Sequence, residues 1–134
     1  MLFKMWWNKN KKYVYKPFIK SFFGHKDSIL CVKRHSRNSS LFFSGSSDGQ
    51  VKYWLVNKKF QINSIQAHNY FVRDIAIDNS GFHMLTCSDD FYIKLWNISE
   101  IKNIPKKCYK TDFIIKSLSF HSFSPFFVTA GKEI

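Results

Sequence analysis

The chain is predicted to be all-β and built from a repeated unit. Three observations carry this reading. Matching residues recur at a spacing of 42 or 43 positions. Each interval holds short β-prone runs separated by turn residues, and no convincing helical run. Aromatic residues make up 19% of 134 residues, with 15 Phe, 6 Tyr and 4 Trp. Such residues suit a pleated, half-buried surface. That much apolar area also excludes a disordered chain, which could not offset its ordering entropy.

Residues 1–17 read as a basic leader. Seven lysines precede the first acid, Asp27. Lys4, Lys9, Lys11, Lys12 and Lys16 are the candidate contacts to nucleic-acid phosphates. The aromatics between them, including Trp6, Trp7, Tyr13 and Tyr15, suit either stacking on bases or packing on the flank of the fold. Both readings stay open for residues 1–16. Residues 18–28 read as a leading outer strand, Phe18–Phe22, followed by a loop.

Residues 29–66 form the first complete unit. Its strands are Ile29–Lys33, Leu41–Phe43, Val51–Trp54 and Phe60–Ile65, and Ser47-Asp48-Gly49 is hairpin-turn chemistry. Residues 67–111 repeat it, with Val72–Ile77, Phe82–Thr86, Tyr92–Trp96 and a weaker run near Lys107–Thr111. Ile29 recurs as Val72, Val32 as Ile75, His25 as His68, Asp48 as Asp90 and Trp54 as Trp96. A third copy begins with Ile115 and Leu118, so residues 112–134 read as an incomplete unit. Ser124-Pro125 is read as a turn between its strands.

A period of 40 to 45 residues, four strands per unit and a His…Asp…Trp frame resemble the WD-repeat β-propeller. The fold class is therefore a partial WD40-type propeller of about two four-stranded blades, a leading strand and half a third blade. In this frame a loop His, a strand hydroxyl, a turn Asp and a buried Trp form one hydrogen-bonded chain, because a buried indole N–H needs an acceptor. The sets are His25, Ser46, Asp48, Trp54 and His68, Ser88, Asp90, Trp96, with Ser44 as the alternative to Ser46. They are read as structural, not catalytic. The naming Trp-Asp pair is Trp54-Leu55 and Trp96-Asn97 here.

More specific strings are Tyr15-Lys16-Pro17-Phe18, Gly24-His25-Lys26-Asp27, Ser44 to Val51, and Gln66-Ala67-His68-Asn69-Tyr70-Phe71-Val72-Arg73. They resemble the Sof-type WD-repeat family of nucleolar ribosome-biogenesis factors over about residues 15 to 98. The resemblance implies a scaffold in a large ribonucleoprotein, the small-subunit processome with the U3 small nucleolar RNA. It implies protein partners, a role in pre-18S rRNA processing, and a nuclear, nucleolar location. Some members of the family are also substrate receptors of a cullin-RING ubiquitin ligase. Ligase adaptors usually carry an Arg shortly after the Trp-Asp pair. Here Leu55-Val56-Asn57 and Asn97-Ile98-Ser99 follow the two Trp residues, which lends that role no support. Arg73, on the first strand of a blade, either faces a partner or pairs with Asp74 or another acid of the blade.

Charge agrees with a polyanionic neighbour. Lysine plus arginine total 21 against 9 acids, a net charge of +12, although a Lys-rich and Asn-rich composition can also arise by drift. Lys102, Lys106, Lys107 and Lys110 form a second basic stretch. Cys31, Cys87 and Cys108 are read as reduced thiols, since three widely spaced cysteines frame no disulfide scaffold. Cys31 and His35 could share a metal, but no second pair accompanies them, so no metal is expected. No phosphate-binding glycine motif or nucleophile elbow is present. The chain is expected to be non-enzymatic, with no cofactor and no small-molecule substrate. No apolar run of about 18 residues supports a membrane role. Two complete units cannot close a ring that needs four to eight. The chain is therefore expected to be the N-terminal part of a longer propeller or a truncated product.

Overall fold

The computed structural model carries twelve antiparallel strands among its described residues. It describes residues 2–6, 18–56, 61–100 and 102–132, with side chains for all but 2–6, 18–20, 61 and 62. Lys9, Lys11, Lys12 and Lys16 lie outside the described residues. The first complete blade is β3 (Ile29–Arg34), β4 (Leu41–Ser46), β5 (Gln50–Leu55) and β6 (Gln61–Gln66), hydrogen-bonded in that order. The second is β7 (Val72–Ile77), β8 (His83–Ser88), β9 (Tyr92–Asn97) and β10 (Lys107–Lys110), again in sequence order. The remaining strands form two-stranded sheets. One pairs β1 (Leu2–Trp6) with β2 (Phe18–Phe23), and the other pairs β11 (Ile114–Phe120) with β12 (Phe127–Lys132).

The described residues are all-β, as the periodicity requires. One element departs from the expectation. Leu2–Trp6 is a strand, with Lys4 opposite Ser21, and not an irregular leader. Its partner β2 runs one residue beyond the expected Phe18–Phe22 and packs Phe22 edge-on against Trp54, ring centroids 5.5 Å apart.

The turns explain the units' regularity. Gly49 and Gly81 hold φ of 77° and 76°, a conformation open to glycine at little cost. A Cβ at Gly49 would also stand 2.3 Å from the carbonyl oxygen of His68. At the position matching Gly49, the second blade carries Phe91, held at φ 65°. Its carbonyl accepts the amide of Thr111 at 2.8 Å, which ties the turn to the start of the next blade.

The first strands of all three units share one irregularity. Register shifts fall between Ile29 and Cys31, between Val72 and Asp74, and between Ile115 and Ser117. A bulge at a fixed place re-aims the side chain that follows it. The second strands are buried on both faces, which is why Leu41–Ser46 and His83–Ser88 read as continuous runs and not as alternation. Two apolar clusters lie between blades. Phe43, Val51, Tyr53 and Ile65 of the first blade meet Val72, Ile75, Met84 and Trp96 of the second. Leu85, Cys87 and Ile93 of the second meet Ile115 and Leu118 of the third unit.

Candidate functional site

Each complete blade carries one buried hydrogen-bonded chain. In the first, Trp54 Nε1 donates to Ser44 Oγ at 2.7 Å. Ser44 Oγ lies 2.7 Å from His25 Nε2, and His25 Nδ1 lies 3.0 Å from Asp48 Oδ2. In the second, Trp96 Nε1 donates to Thr86 Oγ1 at 2.9 Å, Thr86 Oγ1 lies 2.8 Å from His68 Nε2, and His68 Nδ1 lies 2.8 Å from Asp90 Oδ2.

The hydroxyls correct the sequence expectation. Ser44 fills the role assigned to Ser46, and Thr86 the role assigned to Ser88. Strand register supplies the reason. Trp54 lies opposite Phe42, and Trp96 opposite Met84. An indole reaches its diagonal neighbour two residues along, Ser44 or Thr86. Ser46 and Ser88 stand four residues along, roughly 13 Å away. They cap the turns instead: Ser46 Oγ accepts the Asp48 amide at 3.2 Å, and Ser88 Oγ the Asp90 amide at 3.1 Å.

Donor counting sets the histidine state. The hydroxyl oxygen accepts the indole N–H and has its own hydrogen to give to His Nε2, while a carboxylate at Nδ1 can only accept. That nitrogen is then an acceptor, and Nδ1–H donates to the carboxylate. Both imidazoles are neutral. Burial agrees, holding His25 and His68 below the ordinary imidazole value of 6.5 against the pull of their carboxylates. Burial pushes Asp48 up, but the amides of Gln50 and Lys26 and the His25 ring outweigh it and hold the carboxyl below 3.8. Asp90 is likewise held low by His68 and by the amides of Asn69 and Tyr92, against burial.

The stability consequence has a definite sign. Below pH 6.5 an unfolded chain protonates its histidines while the folded one resists, so the unfolded state binds more protons. The contribution is complete above pH 6.5 and is lost as pH falls through the depressed folded values. Asp48 and Asp90 add a second loss below pH 3.8. The urea midpoint is expected to be flat from pH 6.5 to about 8, below the range in which unfolded thiols ionise, and to fall steadily below pH 6.5. A midpoint that rises on mild acidification would contradict a neutral pair.

Other predicted residues are placed as follows. Arg73 makes a two-pronged ion pair with Asp89, through Nε at 2.7 Å and through Nη2, and sits 5.2 Å from the Phe71 ring. The geometry thus supports the blade-acid reading, with Asp89 and not Asp74 as partner. His35 spends Nε2 on the Gly81 carbonyl at 2.9 Å, while Nδ1 accepts the amides of Arg37 and Asn38. Burial pushes the Cys31 thiol up to about 12, so it holds its proton. Both ring nitrogens of His35 are thus engaged within the protein. Among the described residues no cluster of three or more His, Cys, Asp and Glu could hold one. Among the same residues no helix is long and apolar enough to cross a membrane.

The sequence offers Asp74 only as a partner for Arg73, and the structure gives it another role. Its carboxylate accepts the Leu118 amide at 2.8 Å and the Ser117 hydroxyl at 3.0 Å, and lies 3.1 Å from Lys33 Nζ. One buried carboxylate therefore ties three units together. The bulge after Val72, which only strand pairing reveals, turns this residue toward the neighbouring first strands.

A four-stranded blade whose loop His, second-strand hydroxyl, turn Asp and third-strand Trp share one hydrogen-bonded chain defines a WD-repeat β-propeller protein. The model of the family "WD domain, G-beta repeat" matches residues 16–54 and 59–97, and the chain belongs to this WD40 family. It is 32% identical over 123 residues to the DDB1- and CUL4-associated factor 13 of Danio rerio, covering 89% of this chain and 28% of that protein. It is 40% identical over 83 residues to the protein of the same name from Dictyostelium discoideum, covering 62% of this chain and 19% of that one. The chain thus spans less than a third of the length of these curated relatives. A solved structure of U3-55K superposes with a TM-score of 0.75 at 18% identity, over 81% of this chain and 34% of that one. That likeness shows the propeller fold.

Proposed function

We propose that the chain is part of a non-enzymatic WD-repeat scaffold in ribosome biogenesis, supporting small-subunit processome assembly with the U3 RNA and pre-18S rRNA processing in the nucleolus. Two features support the non-enzymatic part. The His–Asp pairs are consumed by the blades, and both imidazole nitrogens of each histidine are engaged. The observation that carries the RNA-associated part is the distribution of charge. Asp48, Asp74, Asp78, Asp89 and Asp90 are all engaged in hydrogen bonds or ion pairs within the protein. Lys102, Lys106, Lys107 and Lys110 face solvent, and β10 is exposed along its whole length. The exposed Lys102–Glu100 pair offsets little of this charge. A stretch whose lysines are exposed, on a protein that engages five of its acids internally, gains from phosphate neutralisation.

A second reading is favoured by the names of the relatives. They are called DDB1- and CUL4-associated factors, so the chain could instead serve as a substrate receptor of that ligase. Affinity purification separates the two. Recovery of U3 RNA with processome proteins is the result expected of the scaffold, and recovery of only a ligase linker protein would overturn it. Direct RNA contact has its own test, by fluorescence anisotropy with single-stranded RNA. The triple change Lys106→Glu, Lys107→Glu, Lys110→Glu is expected to weaken binding about tenfold or more at low salt and to flatten the salt slope. Deleting residues 1–20 should weaken it as well; unchanged binding would exclude the leader as a contact.

A further inference from the structure

The two complete blades share a frame but not a surface. At the end of the second blade where His68 meets Asp90, aromatics replace residues that are polar or glycine in the first. Tyr70 stands where the first blade has Asp27, Phe91 where it has Gly49, and Tyr92 where it has Gln50. None of the three belongs to either apolar cluster between blades. Tyr70 is 62% exposed and Tyr92 38%. Phe91 is half-buried, and its backbone holds φ at 65°. That conformation suits the glycine of the first blade and is strained for a bulky side chain. Such strain persists where the surroundings enforce it, and it gathers at ligand sites.

The three rings line one open cleft of about 710 Å³, together with Lys94 and Cys108. Strand alternation sets its place. Ile93 and Leu95 pack on the third unit, so Tyr92 and Lys94 face the other way, toward the first blade. Cys108 lies opposite Lys94 and Lys110 opposite Tyr92, hence on the same face. The cleft is built from residues 69–108, on the side of the blade away from the third unit. Lys94 Nζ donates to the Ala67 carbonyl at 2.6 Å, which fixes it beside the rings. Asp89 and Asp90 also border the cleft, but Arg73 pairs with the first and His68 holds the second. Lys107 and Lys110 are exposed along β10.

We propose that this cleft binds single-stranded RNA, with bases stacked on Tyr70 and Tyr92 and the backbone held by the exposed lysines of β10. Aromatic faces beside lysines suit an unpaired strand, because every base offers a face to stack and every linkage a phosphate. A duplex has its bases stacked on one another already and offers the rings nothing. A net charge of +12 draws a polyanion and opposes a basic peptide. The RNA chemistry of the cleft rests on the functional reading above, to which the cleft adds the place of contact and the unpaired form of the RNA.

Cys108 gives a local readout, since it is the exposed thiol of the three. Its alkylation by N-ethylmaleimide is expected to slow about tenfold under saturating oligoadenylate, and to change little under duplex RNA of the same length. In anisotropy titrations of the 134-residue chain, Tyr70→Ala and Tyr92→Ala should each weaken oligoadenylate binding about tenfold. The salt slope should stay as it is, because these changes remove stacking and no charge. Phe91→Gly restores the residue of the first blade. It should weaken binding as well, with a urea midpoint no lower than the parent's, which separates loss of the site from loss of the fold. RNA that binds without protecting Cys108, or that binds both tyrosine variants as tightly as the parent, overturns the cleft and leaves the RNA-associated reading standing. No RNA binding at all overturns the cleft too, and recovery of U3 RNA in affinity purification then decides the scaffold reading separately. Equal protection of Cys108 by polyglutamate would overturn it in favour of an acidic protein partner.

Discussion

Thr86→Val is expected to destabilise the protein by roughly 3 kcal/mol or more, the largest effect of any single isosteric change in the second blade. The methyl that replaces the hydroxyl fits the same space, so packing is nearly unchanged. Two buried partners lose their bonds together: the Trp96 indole N–H, donated at 2.9 Å, and His68 Nε2, at 2.8 Å. Trp96 and His68 are almost completely buried, so water cannot replace what is removed. An unsatisfied buried group costs about 1–3 kcal/mol. Ser88→Ala serves as the control. It removes one bond, to the Asp90 amide at the turn, and is expected to cost about 1 kcal/mol. Urea unfolding of the two variants beside the parent decides the matter. If Ser88→Ala proved the more damaging, the hydroxyl assignment would be wrong.

Asp74→Ala is expected to cost a similar amount, about 3 kcal/mol, for a different reason. The Leu118 amide is buried and has the Asp74 carboxylate as its acceptor, so truncation strands a donor between two units. The same change releases Ser117 and Lys33, which loosens the tie across three first strands. Asp74→Asn keeps an acceptor oxygen while giving up the charge opposite Lys33, and should retain most of the stability. Hydrogen exchange at the Leu118 amide gives a local readout. It should speed up strongly in Asp74→Ala and only modestly in Asp74→Asn. Equal exchange in parent and alanine variant would remove Asp74 from its bridging role.

The two predictions differ in how far the sequence anticipates them. The His, Asp and Trp positions of each blade follow from spacing, since they recur every 42 or 43 residues. The hydroxyl does not, because Ser44 and Ser46 both point to one face and only register separates them. The strand Leu2–Trp6 is also obscured in the sequence. Its lysine reads as part of a charged leader until it is set against Lys52 and Lys94, which hold the same place in β5 and β9.

By itself the sequence determined the all-β class, the four-stranded unit, its turns and the frame of His, Asp and Trp. These are local properties: strand propensity, turn chemistry and a repeated spacing act within one blade. The tertiary structure decided the rest. It chose Ser44 over Ser46, Thr86 over Ser88 and Asp89 over Asp74, and it brought Asp74 to Leu118. Each of these depends on which residues face one another across strands or between blades. A shift of two residues in register moves a hydroxyl beyond hydrogen-bond reach and leaves the composition and periodicity of the chain unchanged.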